Sequence, residues 1–224
     1  MRKFVVGCKM ITDATNTGEK ASFAMIAKMY ILSRASSLPD NFLSFRCEFP
    51  QALLRHNIFD KQVCDSLQRM FTSYCGISTK RVCTTGKSVS RLKVGNSIVC
   101  VNRYRGGSPY SHVIAKWLNE DDNTFCLRPA IVKDIWEVKI LAGSEFELHW
   151  VVHLDWYRYH ENVDFYGYNS AMKIWSCLYE PHGLNSFIPA RCIKGYFVSS
   201  KEEVKLPHND TVNIVIQLPM KSIL

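Results

Sequence analysis

Apolar positions change their period along the chain. Ala21, Met25, Ile26, Met29, Tyr30 and Leu32 recur at near-helical spacing, and Ser36, Ser37 and Pro39 end the segment. This predicts a helix over 21–32. Leu38-Pro39-Asp40-Asn41-Phe42 reads as a turn, and the stretch 51–58 predicts one or two helical turns. A further helix is expected after Asp60, a natural N-cap. Its apolar face is Val63, Leu67, Met70, Phe71 and Tyr74, and Gly76 is its stop. Short helices of this kind form a packing subdomain more often than an active site.

Past residue 80 the period becomes two. Strands are predicted over 92–101, 111–118, 130–141, 146–159, 171–179, 186–199 and 211–218. Arg105-Gly106-Gly107-Ser108-Pro109 and Glu120-Asp121-Asp122-Asn123 supply turns between them. Many short strands joined by turns indicate a barrel or sandwich rather than a parallel sheet. The Ser-, Thr- and Lys-rich stretch 78–90 is the candidate linker. The expected class is therefore α+β. A helical N-terminal segment over 1–80 precedes a mostly antiparallel β-barrel domain over 81–224.

Composition narrows the compartment. No apolar run approaches the roughly 20 residues of a membrane span. The N-terminal apolar patch is interrupted by Lys9 and lacks a small-residue cleavage site, which argues against secretion. The 9 cysteines are scattered, with no CxxC pair, as expected of reduced thiols in the nucleus or cytoplasm. A structural zinc site is disfavoured for the same reason.

Charge is distributed unevenly. Residues 1–110 carry 17 Lys+Arg against 6 Asp+Glu, and residues 111–224 carry 11 against 14, which together make the net +8. Lys80, Arg81, Lys87, Arg91, Lys93, Arg103 and Arg105 follow one another with no acidic residue between them. Such a strip attracts phosphate backbones, and it equally suits a solvated strand edge.

The order of motifs in the second half resembles a bromo-adjacent homology (BAH) domain. Val94-Gly95-Asn96-Ser97-Ile98-Val99-Cys100-Val101 is similar to the opening strand of that family, with Asn96 where Asp is commoner. Ile131 through Ile135-Trp136 is similar to its next strand. Val152 through Trp156-Tyr157-Arg158-Tyr159 follows, and Ile188-Pro189-Ala190-Arg191-Cys192-Ile193-Lys194-Gly195 through Val198 is similar to its close. The likeness covers about half the chain. It is nearer to BAH-like barrels at the C-terminal end of proteins encoded by mobile elements. Trp156-Tyr157-Arg158-Tyr159-His160, Met172-Lys173-Ile174-Trp175 and Tyr179-Glu180-Pro181 through Ile193 carry that resemblance, while Gly195-Tyr196 departs from it. The resemblance implies a transposon product, a truncated copy of one, or a host gene derived from one. It implies a chromatin reader in the nucleus, meeting a histone-like peptide or other parts of a transposase complex.

Three chemistries present themselves. Trp136, Trp156, Tyr157, Tyr159 and Trp175 supply rings for an aromatic cage around a methylated lysine, with Asp155 or Glu161 as counter-charge. Alternation places Trp150, Val152, Leu154 and Trp156 on one face, which suits core packing. Tyr157 and Tyr159 share the other face with His149, Val151, His153 and Asp155. His153 and Asp155 also have the spacing of an iron-binding facial triad, which His182 or His208 would complete. Thr85-Gly86-Lys87-Ser88 resembles the end of a P-loop, but Arg81 occupies the position of the leading glycine. No nucleophilic cysteine or acid/base dyad stands out. The reading that follows is a non-enzymatic interaction module with no cofactor and auxiliary nucleic-acid contact. The alternatives are an iron-dependent enzyme and a structural subunit.

Overall fold

The computed structural model describes residues 45–46, 55–77, 79–94, 97–102, 109–142, 144–181, 183–205 and 209–219. The fold is mostly antiparallel β with one helix, α1 (Lys61–Cys75), among the described residues. The strands are β1 (Phe45–Arg46), β2 (Arg55–Ile58), β3 (Thr79–Val89), β4 (Arg91–Val94), β5 (Ser97–Cys100) and β6 (His112–Leu118). They continue as β7 (Phe125–Ala142), β8 (Glu145–Tyr157), β9 (Met172–Trp175), β10 (Leu178–Tyr179), β11 (Phe187–Pro189), β12 (Ile193–Lys205) and β13 (Asn209–Pro219). The expected helix over 21–32 lies outside the described residues.

Local chemistry accounts for α1. The Val63 N–H donates to Asp60 Oδ1 at 2.8 Å, and Gly76 ends the helix at φ 64°, a conformation that favours glycine. Leu67, Met70 and Phe71 are fully buried against the sheet. Each contributes roughly 2 kcal/mol by leaving water.

Three sequence expectations need correction. Residues 55–58 form strand β2, paired with β3, rather than helical turns. The supposed linker 78–90 is largely β3 itself. Its Thr and Val residues suit a strand, and Arg81, Thr84 and Thr85 are exposed while Ser88 is buried. A Cβ on Gly86 would lie 2.5 Å from the Phe59 ring, so this glycine serves close packing and not phosphate binding. The stretch 92–101 is also two strands, β4 and β5, with Val94 opposite Ser97.

The larger sheet has the order β10-β8-β7-β6-β12-β13-β9, with β11 on β8 and β3 between β2 and β7. This path runs from β10 to β9 without closing on itself among the described residues. Strand β7 is the hinge of the arrangement. One edge pairs with β8 from Ala130 to Ala142, and the other pairs first with β6 and then with β3. The change of neighbour falls at a register shift between Val132 and Asp134. There the Asn102 N–H donates to the Val132 carbonyl at 2.8 Å.

The sheet's two faces carry different cores. One holds Val132, Ile135, Val152, Leu154 and Trp156 against the β4–β5 hairpin and the β11 region. The other, under α1, holds Phe59, Leu67, Met70, Phe71, Trp136, Val138, Val151 and Phe187.

Candidate functional site

Strand β8 sets out most of the sequence candidates. Trp156 is fully buried, with its Nε1 donating to the Asn185 carbonyl at 2.8 Å. On the opposite face come His149, Val151, His153, Asp155 and Tyr157. Trp136 lies opposite Val151, so it sits roughly 20 Å along the strand from Tyr157. The rings consequently fall into two clusters. Trp136 packs with Phe59, Phe187 and His153 at centroid distances of 4.7, 5.2 and 5.7 Å. Tyr157 and Trp175 pack instead with Phe197, Val163 and Val215. Tyr159 is 58% exposed and meets Trp175 edge-on at 6.0 Å. The proposed cage residues do not line one open pocket, because strand rise separates Trp136 from the tyrosines.

Asp155 is also engaged. Its Oδ1 lies 3.6 Å from the Lys133 ammonium, which donates to Glu180 at 2.7 Å. His153 Nε2 lies 3.1 Å from the other Glu180 oxygen, and its ring stacks on Phe187 at 4.8 Å. Burial pushes the His153 pKa below its usual value, and the Lys133 charge adds to that; Glu180, Asp155 and Asp134 oppose it. The Lys133 hydrogen bond holds Glu180 low, against its burial. For Lys133, burial disfavours the charge, but Glu180 and Asp155 raise its pKa overall. Here an ammonium occupies the space between the carboxylates. Among the described residues no three metal-ligating side chains converge, and His182 and His208 lie outside them. The Trp136 indole N–H and Asp155 Oδ1 are buried with no hydrogen-bond partner.

The basic strip divides between strands. Lys80, Arg81 and Lys87 lie on β3, and Arg91 and Lys93 lie on β4. Arg103 and Arg105 fall outside the described residues. Lys87 is 3.6 Å from Glu137, its cross-strand neighbour. Register places Arg81 opposite Leu141, and Leu141 opposite Phe146. Arg81, Lys87 and Lys139 therefore share the sheet face turned away from α1 with Phe146, Leu148 and Trp150. Phe146 is 53% exposed and Leu148 is 64% exposed. The Lys139 ammonium lies 4.6 Å from the Phe146 ring centroid.

Sequence reasoning missed Lys139, Phe146 and Leu148 because each sits in an alternating strand that reads as half-buried. The available signal was that β7 and β8 carry apolar residues on both faces at this end. No protein-family model matches the chain, and neither a curated protein nor a solved structure is detectably similar to it.

Proposed function

We propose that the protein is a non-enzymatic binding module whose first partner is nucleic acid, held on the open face formed by β3, β7 and the start of β8. The observation that carries this reading is the placement of Arg81, Lys87 and Lys139 beside exposed Phe146 and Leu148. Cations neutralise phosphates and release their counterions, while exposed apolar side chains cover sugars and bases. The motif order supports the finer reading of a BAH-like barrel of transposon descent, acting on chromatin in the nucleus. A histone-tail ligand draws less support, because Trp136 and Tyr157 pack in separate clusters. Leu148 and Phe146 favour a second reading, contact with a protein component of a transposase complex.

A gel-shift titration of duplex DNA over a salt series tests the first reading. Affinity should fall steeply as salt rises. Lys139→Glu should weaken binding and flatten the slope by about one unit per lost phosphate contact. Binding that is absent at low salt, or indifferent to salt, overturns the nucleic-acid assignment.

A further inference from the structure

The far end of the sheet presents a different surface. Trp117 on β6, Arg128 on β7, Arg158 and Tyr159 just past β8, and Tyr179 on β10 come together there. The Arg128 guanidinium lies 4.4 Å from the Trp117 ring centroid and 5.9 Å from that of Tyr159. The Arg158 guanidinium lies 4.9 Å from the Tyr179 ring, and Tyr179 is 6.3 Å from Trp117. The groups thus run in the order Tyr159, Arg128, Trp117, Tyr179 and Arg158.

Buried groups hold this ladder in place. Trp156 backs Trp117 edge-on at 5.0 Å, and Trp175 backs Tyr159 at 6.0 Å. The Arg158 backbone is fixed on both sides, donating to the Cys177 carbonyl and accepting from the Ser176 N–H. The Arg128 Nε–H points to Cys126 Sγ at 3.4 Å. Neither Arg128 nor Arg158 forms an ion pair with a carboxylate among the described residues. Both guanidinium groups act on the Tyr179 phenol, opposing the rise that burial causes in its pKa.

We propose that this ladder is a stacking platform for a single strand of nucleic acid. Two cations with no carboxylate partner among the described residues attract the phosphates, and the exposed face of Tyr159 receives an unstacked base. A duplex keeps its base faces inside its own stack, so it cannot use Tyr159 in this way. An acidic peptide would satisfy the arginines but leave the ring uncovered. The site shares no residue with the β3–β7–β8 face, and it stands if that face proves inactive.

Fluorescence anisotropy with a labelled oligothymidylate roughly 15 nucleotides long tests it. Tyr159→Ala and Arg158→Ala are both exposed changes, and each should weaken binding about tenfold. Tyr159→Phe keeps the ring and should bind as the parent does. Parent-like affinity in Tyr159→Ala overturns the proposal. So does polyglutamate binding as tightly as the oligonucleotide, since that would reduce the site to charge alone. The two sites fail separately. Oligothymidylate binding that survives when duplex binding ignores salt removes the β3–β7–β8 reading and keeps this one.

Discussion

Aromatic side chains meet a different cover under α1 and at the end of the sheet formed by β6, β10 and the residues just past β8. Where α1 crosses the sheet, Trp136 is enclosed by Phe59, Phe187 and the helix side chains. At the other end, arginine side chains lie on the rings of Trp117, Tyr159 and Tyr179 instead, and α1 reaches β6 through Tyr74, whose hydroxyl accepts from the Leu118 N–H at 3.0 Å. Residue type is much the same at both ends. A second layer makes rings into core, and a cover of arginines leaves them as a surface whose partner is charged and wet. The comparison breaks most directly through stability. Phe71→Ala empties a fully buried site under α1 and should cost about 3–5 kcal/mol in urea unfolding. Tyr159→Ala should stay within about 0.5 kcal/mol, because its ring is largely in water already. Equal losses would show that the open end is core after all.

The same contrast explains what could be read from the chain. Asp60, Gly76 and the stripe from Val63 to Tyr74 define α1 because capping and helical period are local. The alternation of Trp150, Val152, Leu154 and Trp156 likewise marked the core face of β8. Partnership between strands was not legible. Nothing near Lys133 in sequence indicates that β7 exchanges β6 for β3 there. The polar composition of 78–90 suggested a linker, whereas pairing with β2 and β7 makes it a strand. The five cage candidates are divided for a related reason. Trp136 and Tyr157 look alike as exposed-face aromatics until register places one beside Val151 and the other well beyond it. Trp117 and Tyr179 belong to separate predicted strands and Arg128 lies just before a third, so only the register of β6, β7, β8 and β10 makes them neighbours.

A smaller effect sharpens the role of α1 as a cover. Asp60→Ala removes the acceptor for the Val63 N–H and should cost about 1 kcal/mol. The loss should appear in urea unfolding and should also speed amide exchange in the first turn of α1. Exchange that quickens equally throughout β6 would mean the helix stabilises both ends alike.

The smallest expected effect is a response to acid at the covered end. His153 lies between Trp136 and Phe187, facing Lys133, Asp134, Asp155 and Glu180. Burial and the Lys133 charge place its folded pKa below the ordinary 6.5, so the native state favours the neutral ring. An unfolded chain takes up the proton first as pH falls. The associated stability is therefore present above 6.5 and declines as pH drops through the folded pKa. Glu180, also held low, contributes in the same direction only at more acid pH. Urea midpoints measured between about pH 7 and pH 5 should fall in the parent and fall less in His153→Gln. Identical slopes would remove His153 as the cause. The ladder at the open end contains arginines, which keep their charge throughout this range, so its electrostatics should not change with the same acidification.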